Sequence, residues 1–129
     1  MQVLKWLALA VGLTSVAGAS SASGVATAPE QAVVVHFTYG STDLSRLFAL
    51  EDRLETVLAA AGAGEYDGNE IATDGSDGFL YLYGPDADRL FKVIEPVLRA
   101  TPFMHGAQVT KRYGPPEDGV KESVVVIDS

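Results

Sequence analysis

From Gln31 onward, hydrophobic residues recur in two alternating rhythms. Gln31–Tyr39 (QAVVVHFTY) is rich in β-branched and aromatic residues and is closed by Gly40, which predicts a strand. Its side chains alternate, so Val33, Val35 and Phe37 point one way and Val34, His36 and Thr38 the other. Apolar residues on both faces place this strand at the centre of its sheet. Leu44, Leu47, Phe48, Glu51, Leu54, Leu58 and Ala61 follow at three- and four-residue steps, the period of a helix face. Glu51 is the one misfit and is expected at the margin of that stripe. Ser41-Thr42-Asp43 offers N-cap oxygens, and Gly62 or Gly64 ends the helix.

The rhythm then repeats. Glu65–Ala72 is a weaker strand in which Asp67-Gly68-Asn69 introduces a bulge or turn. Thr73–Gly78 is a turn, and Phe79–Tyr83 (FLYLY) is a strong strand. In it Leu80 and Leu82 share one face, while Phe79, Tyr81 and Tyr83 share the other. Gly84-Pro85-Asp86 opens a second helix, with Pro85 in the first turn and Asp86 and Asp88 complementing its positive end. Ala87, Leu90, Phe91, Ile94, Val97 and Leu98 form its buried stripe, Pro96 predicts a kink, and Pro102 confirms the end. Ala107–Tyr113 and Glu122–Ile127 read as strands joined by the loop Gly114–Gly119, the second the expected hairpin partner of the first.

This βαββαβ order with one extra C-terminal strand resembles the ferredoxin-like sandwich, an α+β fold. It implies an antiparallel sheet with two helices on one face, leaving Phe79, Tyr81 and Tyr83 on the open side. Tyr83-Gly84-Pro85-Asp86-Ala87-Asp88 and Arg112-Tyr113-Gly114-Pro115-Pro116 resemble elements of small uncharacterised bacterial proteins, over about the last two thirds of the chain. That resemblance implies no particular activity.

Composition refines this picture. With 129 residues and 47% hydrophobic content, one domain with one core is expected. The chain has no cysteine, which excludes disulfides and thiolate metal sites. The net charge is −8, and the stretch from Glu55 to Asp88 carries only acidic charges. Such a surface repels nucleic acid and anionic lipid and favours cationic partners or divalent ions. At the N-terminus, Lys5 precedes the apolar run Trp6–Leu13, followed by small residues, with Ala17-Gly18-Ala19 as a cleavage pattern. Residues 1–19 are therefore expected to be a signal peptide, 20–30 a flexible linker, and 31–129 a single exported domain. A retained N-terminal helix is the alternative. The apolar run is too short for a stable membrane span.

The open aromatic face is the leading candidate for a contact site, formed by Phe79, Tyr81 and Tyr83 with His36 contributing. Gly78–Leu82 resembles the aromatic RNA-contact strand of RNA-recognition domains, but Asp77 stands where a basic residue leads that strand, so nucleic acid is not expected. Two readings stand level instead: a homodimer joined sheet to sheet or another protein partner, and an ordinary face covered by the last strand or the N-terminal segment. Asp67, Asn69, Glu70, Asp74 and Asp77 offer hard oxygen ligands, but Ile71 interrupts EF-hand spacing and turn chemistry explains the aspartates; no metal and no cofactor is expected. His36 and His105 lack a partner in the sequence for general base work, and Ser20, Ser21 and Ser23 lack a nucleophile elbow. Lys111 and Arg112 must point to opposite faces, one able to reach an anion on the open side, with edge-strand protection as the more ordinary role. The expectation is a non-catalytic binding domain. The alternative is a small enzyme of the dimeric α+β barrel type, with His36, tyrosines and a carboxylate in a cleft between sheet and helices.

Overall fold

The computed structural model describes residues 30–128. The expected signal peptide and all of the linker but Glu30 lie outside the described residues. The elements are β1 (Gln31–Thr38), α1 (Ser45–Ala61), β2 (Glu65–Ile71), β3 (Asp77–Gly84), α2 (Ala87–Arg99), β4 (Gln108–Arg112) and β5 (Glu122–Val126), with a short 3-10 turn at Pro102–Met104. They form a ferredoxin-like α+β sandwich. One antiparallel sheet has the order β2-β3-β1-β4-β5, so β1 occupies the centre. Among the described residues, no helix is long and apolar enough to cross a membrane.

The core lies between the sheet and the helices. Val33, Val35 and Phe37 of β1, Leu80 and Leu82 of β3, and Val109 of β4 pack with Leu47, Leu50, Leu54 and Leu58 of α1 and Leu90, Ile94 and Leu98 of α2. All are almost completely withdrawn from water. This burial is the main favourable term that holds the two layers together.

Several local expectations need correction. Glu51 is buried rather than marginal, and Asn69 Nδ2 of β2 donates to its carboxylate. A charge in that position is tolerable because a hydrogen-bond donor meets it. The residue before α1 is Leu44, and its side chain makes no cap. Asp43 supplies the oxygen one residue earlier, accepting from the Ser45 amide at 3.0 Å and the Ser45 hydroxyl at 2.8 Å. Those bonds hold the Asp43 carboxyl below its ordinary value. Gly62 closes the helix in the left-handed conformation, at φ 62°. In α2, Asp86 is the cap, accepting from the Arg89 amide at 3.1 Å, so Pro85 precedes the helix instead of starting it. The helix runs on past Pro96 to Arg99. Pro96 therefore lies inside α2, where its ring nitrogen cannot make the backbone bond to the preceding turn.

The turn between β2 and β3 is clamped to the end of β1. Gly75 O accepts from the amides of Gly40 (2.7 Å) and Ser41 (3.1 Å), and Ser76 O accepts from Tyr39 (2.9 Å). Gly75 has φ +76°, and a Cβ there would lie 2.1 Å from Ser41 O, so only glycine fits. The clamp fixes the β2–β3 hairpin beside β1, which sets the register of the open face.

Candidate functional site

Strand parity places all four expected site residues on the open face. His36 pairs with Phe79, Val34 with Tyr81 and Ala32 with Tyr83 across β1 and β3. On the other side of β1, the same residues pair with Gln108, Thr110 and Arg112 of β4, which in turn pair with Val126, Val124 and Glu122 of β5. On β2, Glu70 pairs with Phe79 and Glu65 with Tyr83, and a bulge between Tyr66 and Gly68 separates them. The open face is thus three cross-strand rows. One reads Glu70, Phe79, His36, Gln108, Val126, and the last ends on Arg112 and Glu122.

The rings of the site form a stack. His36 lies on Phe79 with centroids 4.4 Å apart and planes 12° apart, and Tyr81 follows Phe79 at 6.2 Å and 16°. Offset stacks of this kind hold aromatic groups in a fixed array. Two carboxylates frame the stack. His36 Nε2 donates to Asp77 Oδ2 at 2.8 Å, with the two side chains 43% and 44% exposed. The Tyr81 hydroxyl donates to Glu70 Oε1 at 2.6 Å. Desolvation first, then that bond and the charge of Glu70, push the Tyr81 phenol up to about 12. Tyr83 is also raised, by burial and then by the nearby Asp67 charge, with Arg112 opposing. Asp67, in the bulge, is itself raised, by partial burial and then by Glu65. Both tyrosines therefore remain neutral hydrogen-bonding groups through the physiological range.

The oxygen-rich hairpin does not converge. Asn69 turns to Glu51 on the helix side, Glu70 and Asp77 bond Tyr81 and His36, and Asp74 Oδ1 accepts from the Ser76 amide at 2.9 Å. Among the described residues, no group of three or more His, Asp or Glu side chains is placed to hold a metal ion. Lys111 and Arg112 point to opposite faces, as parity requires. Lys111 reaches Asp88 of α2 at 2.9 Å, and Tyr113 donates to the same carboxylate oxygen at 2.6 Å. Arg112 lies on the open side, its Nε donating to Gly114 O at 2.6 Å. Edge protection is not their role, because β5 covers the outer side of β4.

His36 lies on the open side, so it cannot share a cleft between sheet and helices; the parity of β1 forbids it. His105 is exposed beyond the 3-10 turn, far in sequence order from the stack. Among the described residues, two of the surface clefts lie elsewhere. One of about 280 Å³ is lined by Glu55, Leu58, Ala59, Gly64, Glu65 and Tyr66. The other, of about 470 Å³, is lined by Asp88, Arg89, Phe91, Lys92, Glu95 and Lys111. Neither contains a residue of the aromatic stack.

The sequence reading missed two parts of this surface. Turn chemistry does not account for Asp77, which as the first residue of β3 shares parity with Phe79. Val124 and Val126 are 59% and 50% exposed on the same face. Their alternation with Ser123 and Val125 carries that signal, once β5 is known to lie at the sheet edge. No protein-family model, curated protein or solved structure matches the chain.

Proposed function

We propose that this domain is a non-catalytic binding module that engages a partner through the open face of its sheet. The single observation behind this reading is the ordered stack of His36, Phe79 and Tyr81, left uncovered by either helix and framed by Asp77 and Glu70. A contiguous aromatic patch that reaches the surface supports a contact role. The partner chemistry follows from charge. The stretch from Glu55 to Asp88 carries eight acidic residues and no Lys or Arg, and it contains both β2 and β3. An apolar segment that also carries lysine or arginine meets rings and carboxylates together here. Nucleic acid and anionic lipid would be repelled. The kinship with small bacterial ferredoxin-like proteins, and export directed by residues 1–19, belong to the same proposal. Export is checked by sequencing the N-terminus of natively produced protein: a start at Ser20 supports it and an intact Met1 removes it.

The binding reading is tested by amide NMR with a short peptide alternating arginine and leucine. Shifts are expected on β1 and β3, weakening with salt. Tyr81→Ala and Glu70→Gln are each expected to weaken them, and the same peptide with glutamate for arginine should give none. Shifts confined to the helices, or equal shifts from the acidic peptide, would remove the reading.

A second reading has one observation in its favour. The Asp77 carboxylate holds His36 by a hydrogen bond, the arrangement that orients an imidazole for general base work. The cross-strand neighbours of His36 are Phe79 and Gln108, neither a nucleophile, and the pair lies half exposed on a sheet face. The binding reading therefore stands first.

A further inference from the structure

We infer that β5 is a pairing edge, and that its occupant is β5 of a second copy of this chain, joined antiparallel about a two-fold axis through Val124. The inference goes beyond the binding reading and does not need it.

The two edges of the sheet are built differently. At β2 the ladder is broken by a bulge between Tyr66 and Gly68, and the strand carries Glu65, Asp67 and Glu70. Bulges and charges are the usual means by which a sheet edge refuses another strand. At β5 the register is regular throughout, and the strand reads Glu-Ser-Val-Val-Val, with Glu122 as its single charge. Val124 and Val126 are the two most exposed large aliphatic residues among those described. In a chain of net charge −8, this nearly neutral edge is where a like-charged copy can approach.

Backbone direction gives the register. Ile127 N–H donates to Ala107 O, and Tyr113 N–H donates to Lys121 O, both at 2.9 Å. Residues 121 and 127 therefore direct their backbone groups toward β4. Backbone direction alternates along an antiparallel strand, so Glu122, Val124 and Val126 direct theirs outward. These three also point their side chains to the open face. A two-fold axis perpendicular to the sheet pairs residues of equal parity and keeps the helices of both copies on one side. With the axis at Val124, Val124 faces its own mate and Glu122 faces Val126 of the other copy. Each outward residue then exchanges N–H and C=O with its counterpart, and the whole strand is used. Moving the axis to Val125 would oppose Glu122 and Asp128, two like charges. The resulting dimer carries one continuous sheet, with the valines at its middle and an aromatic stack toward either end.

The test uses the full chain, whose lack of cysteine makes single-cysteine variants unambiguous. Sedimentation at micromolar concentration is expected to give the mass of a dimer. Val124→Lys sets two ammonium groups face to face and should give a monomer with unchanged circular dichroism. Under mild oxidation, Val124→Cys should form a disulfide-linked dimer rapidly, since directly paired residues lie about 5.5 Å apart, within disulfide reach. Val126→Cys, similarly exposed but several residues from its mate in this register, should not. A monomer at all concentrations overturns the proposal. So do equal cross-linking rates for the two variants, or a dimer that survives Val124→Lys. A peptide response on β1 and β3 that persists in such a case shows that the open-face reading survives alone.

Discussion

The two faces of β3 belong to the same short run of sequence, yet they meet opposite surroundings. Leu80 and Leu82 are sealed beneath the helices, while Phe79, Tyr81 and Tyr83 stand on the uncovered side. On the covered face, side chains are held by packing with α1 and α2. On the open face they are held by one another and by polar anchors: Phe79 by the His36 ring, Tyr81 by Glu70. The difference teaches that aromatic content alone does not mark a core. Phe37, one strand away, is core because its parity turns it to the helices, whereas Phe79 faces outward because its parity does not.

Substitutions can break this contrast at either face. Leu80→Ala should cost most, about 2–5 kcal/mol by urea denaturation, because it removes buried methyl groups and leaves a void. Asn69→Ala should follow at about 1–3 kcal/mol, since it takes a donor from the buried Glu51 carboxylate. Tyr81→Ala should cost less than about 1 kcal/mol, because it deletes a partly exposed ring and a solvent-facing bond to Glu70. A Tyr81→Ala loss as large as that of Leu80→Ala would mean that something covers the open face.

The smallest effect belongs to the exposed anchor between α2 and β4. The Tyr113 hydroxyl, then the Lys111 ammonium, hold the Asp88 carboxyl below its ordinary value. The folded value is depressed, so the stabilisation is present above the unfolded carboxylate value of about 3.9 and is lost as pH falls through the folded value. Asp88→Asn should therefore lower the melting temperature slightly at neutral pH, with the gap closing in acid. A gap that persists unchanged in acid would contradict the charge-based account.

Most of the fold was legible because both periods are strong where they matter. FLYLY alternates cleanly, and the α1 leucines keep their spacing, so element order and the facing of Leu80 against Tyr81 followed from parity. The four expected site residues do fall on one face for that reason. What was not legible depends on tertiary position. Glu51 looks marginal on a helix stripe until Asn69 of a distant strand is placed opposite it. The His36–Asp77 pair joins residues 41 apart, through a register that the clamp at Gly75 sets. Val124 and Val126 look like core residues until β5 is known to end the sheet. Arg112 reads as an edge-strand charge in sequence, whereas β5 lies beyond β4 in the sheet.

The claim on which the rest depends is that, among the described residues, α1 and α2 both cover this sheet on the same side. Hydroxyl-radical footprinting of the full chain, read residue by residue by mass spectrometry, tests it most directly. The account predicts that Phe79 and Tyr81 oxidise several times faster than Phe37 and Phe91, and become protected when the arginine–leucine peptide is added. Oxidation of Phe79 and Tyr81 as slow as that of Phe37 in the free protein would contradict it.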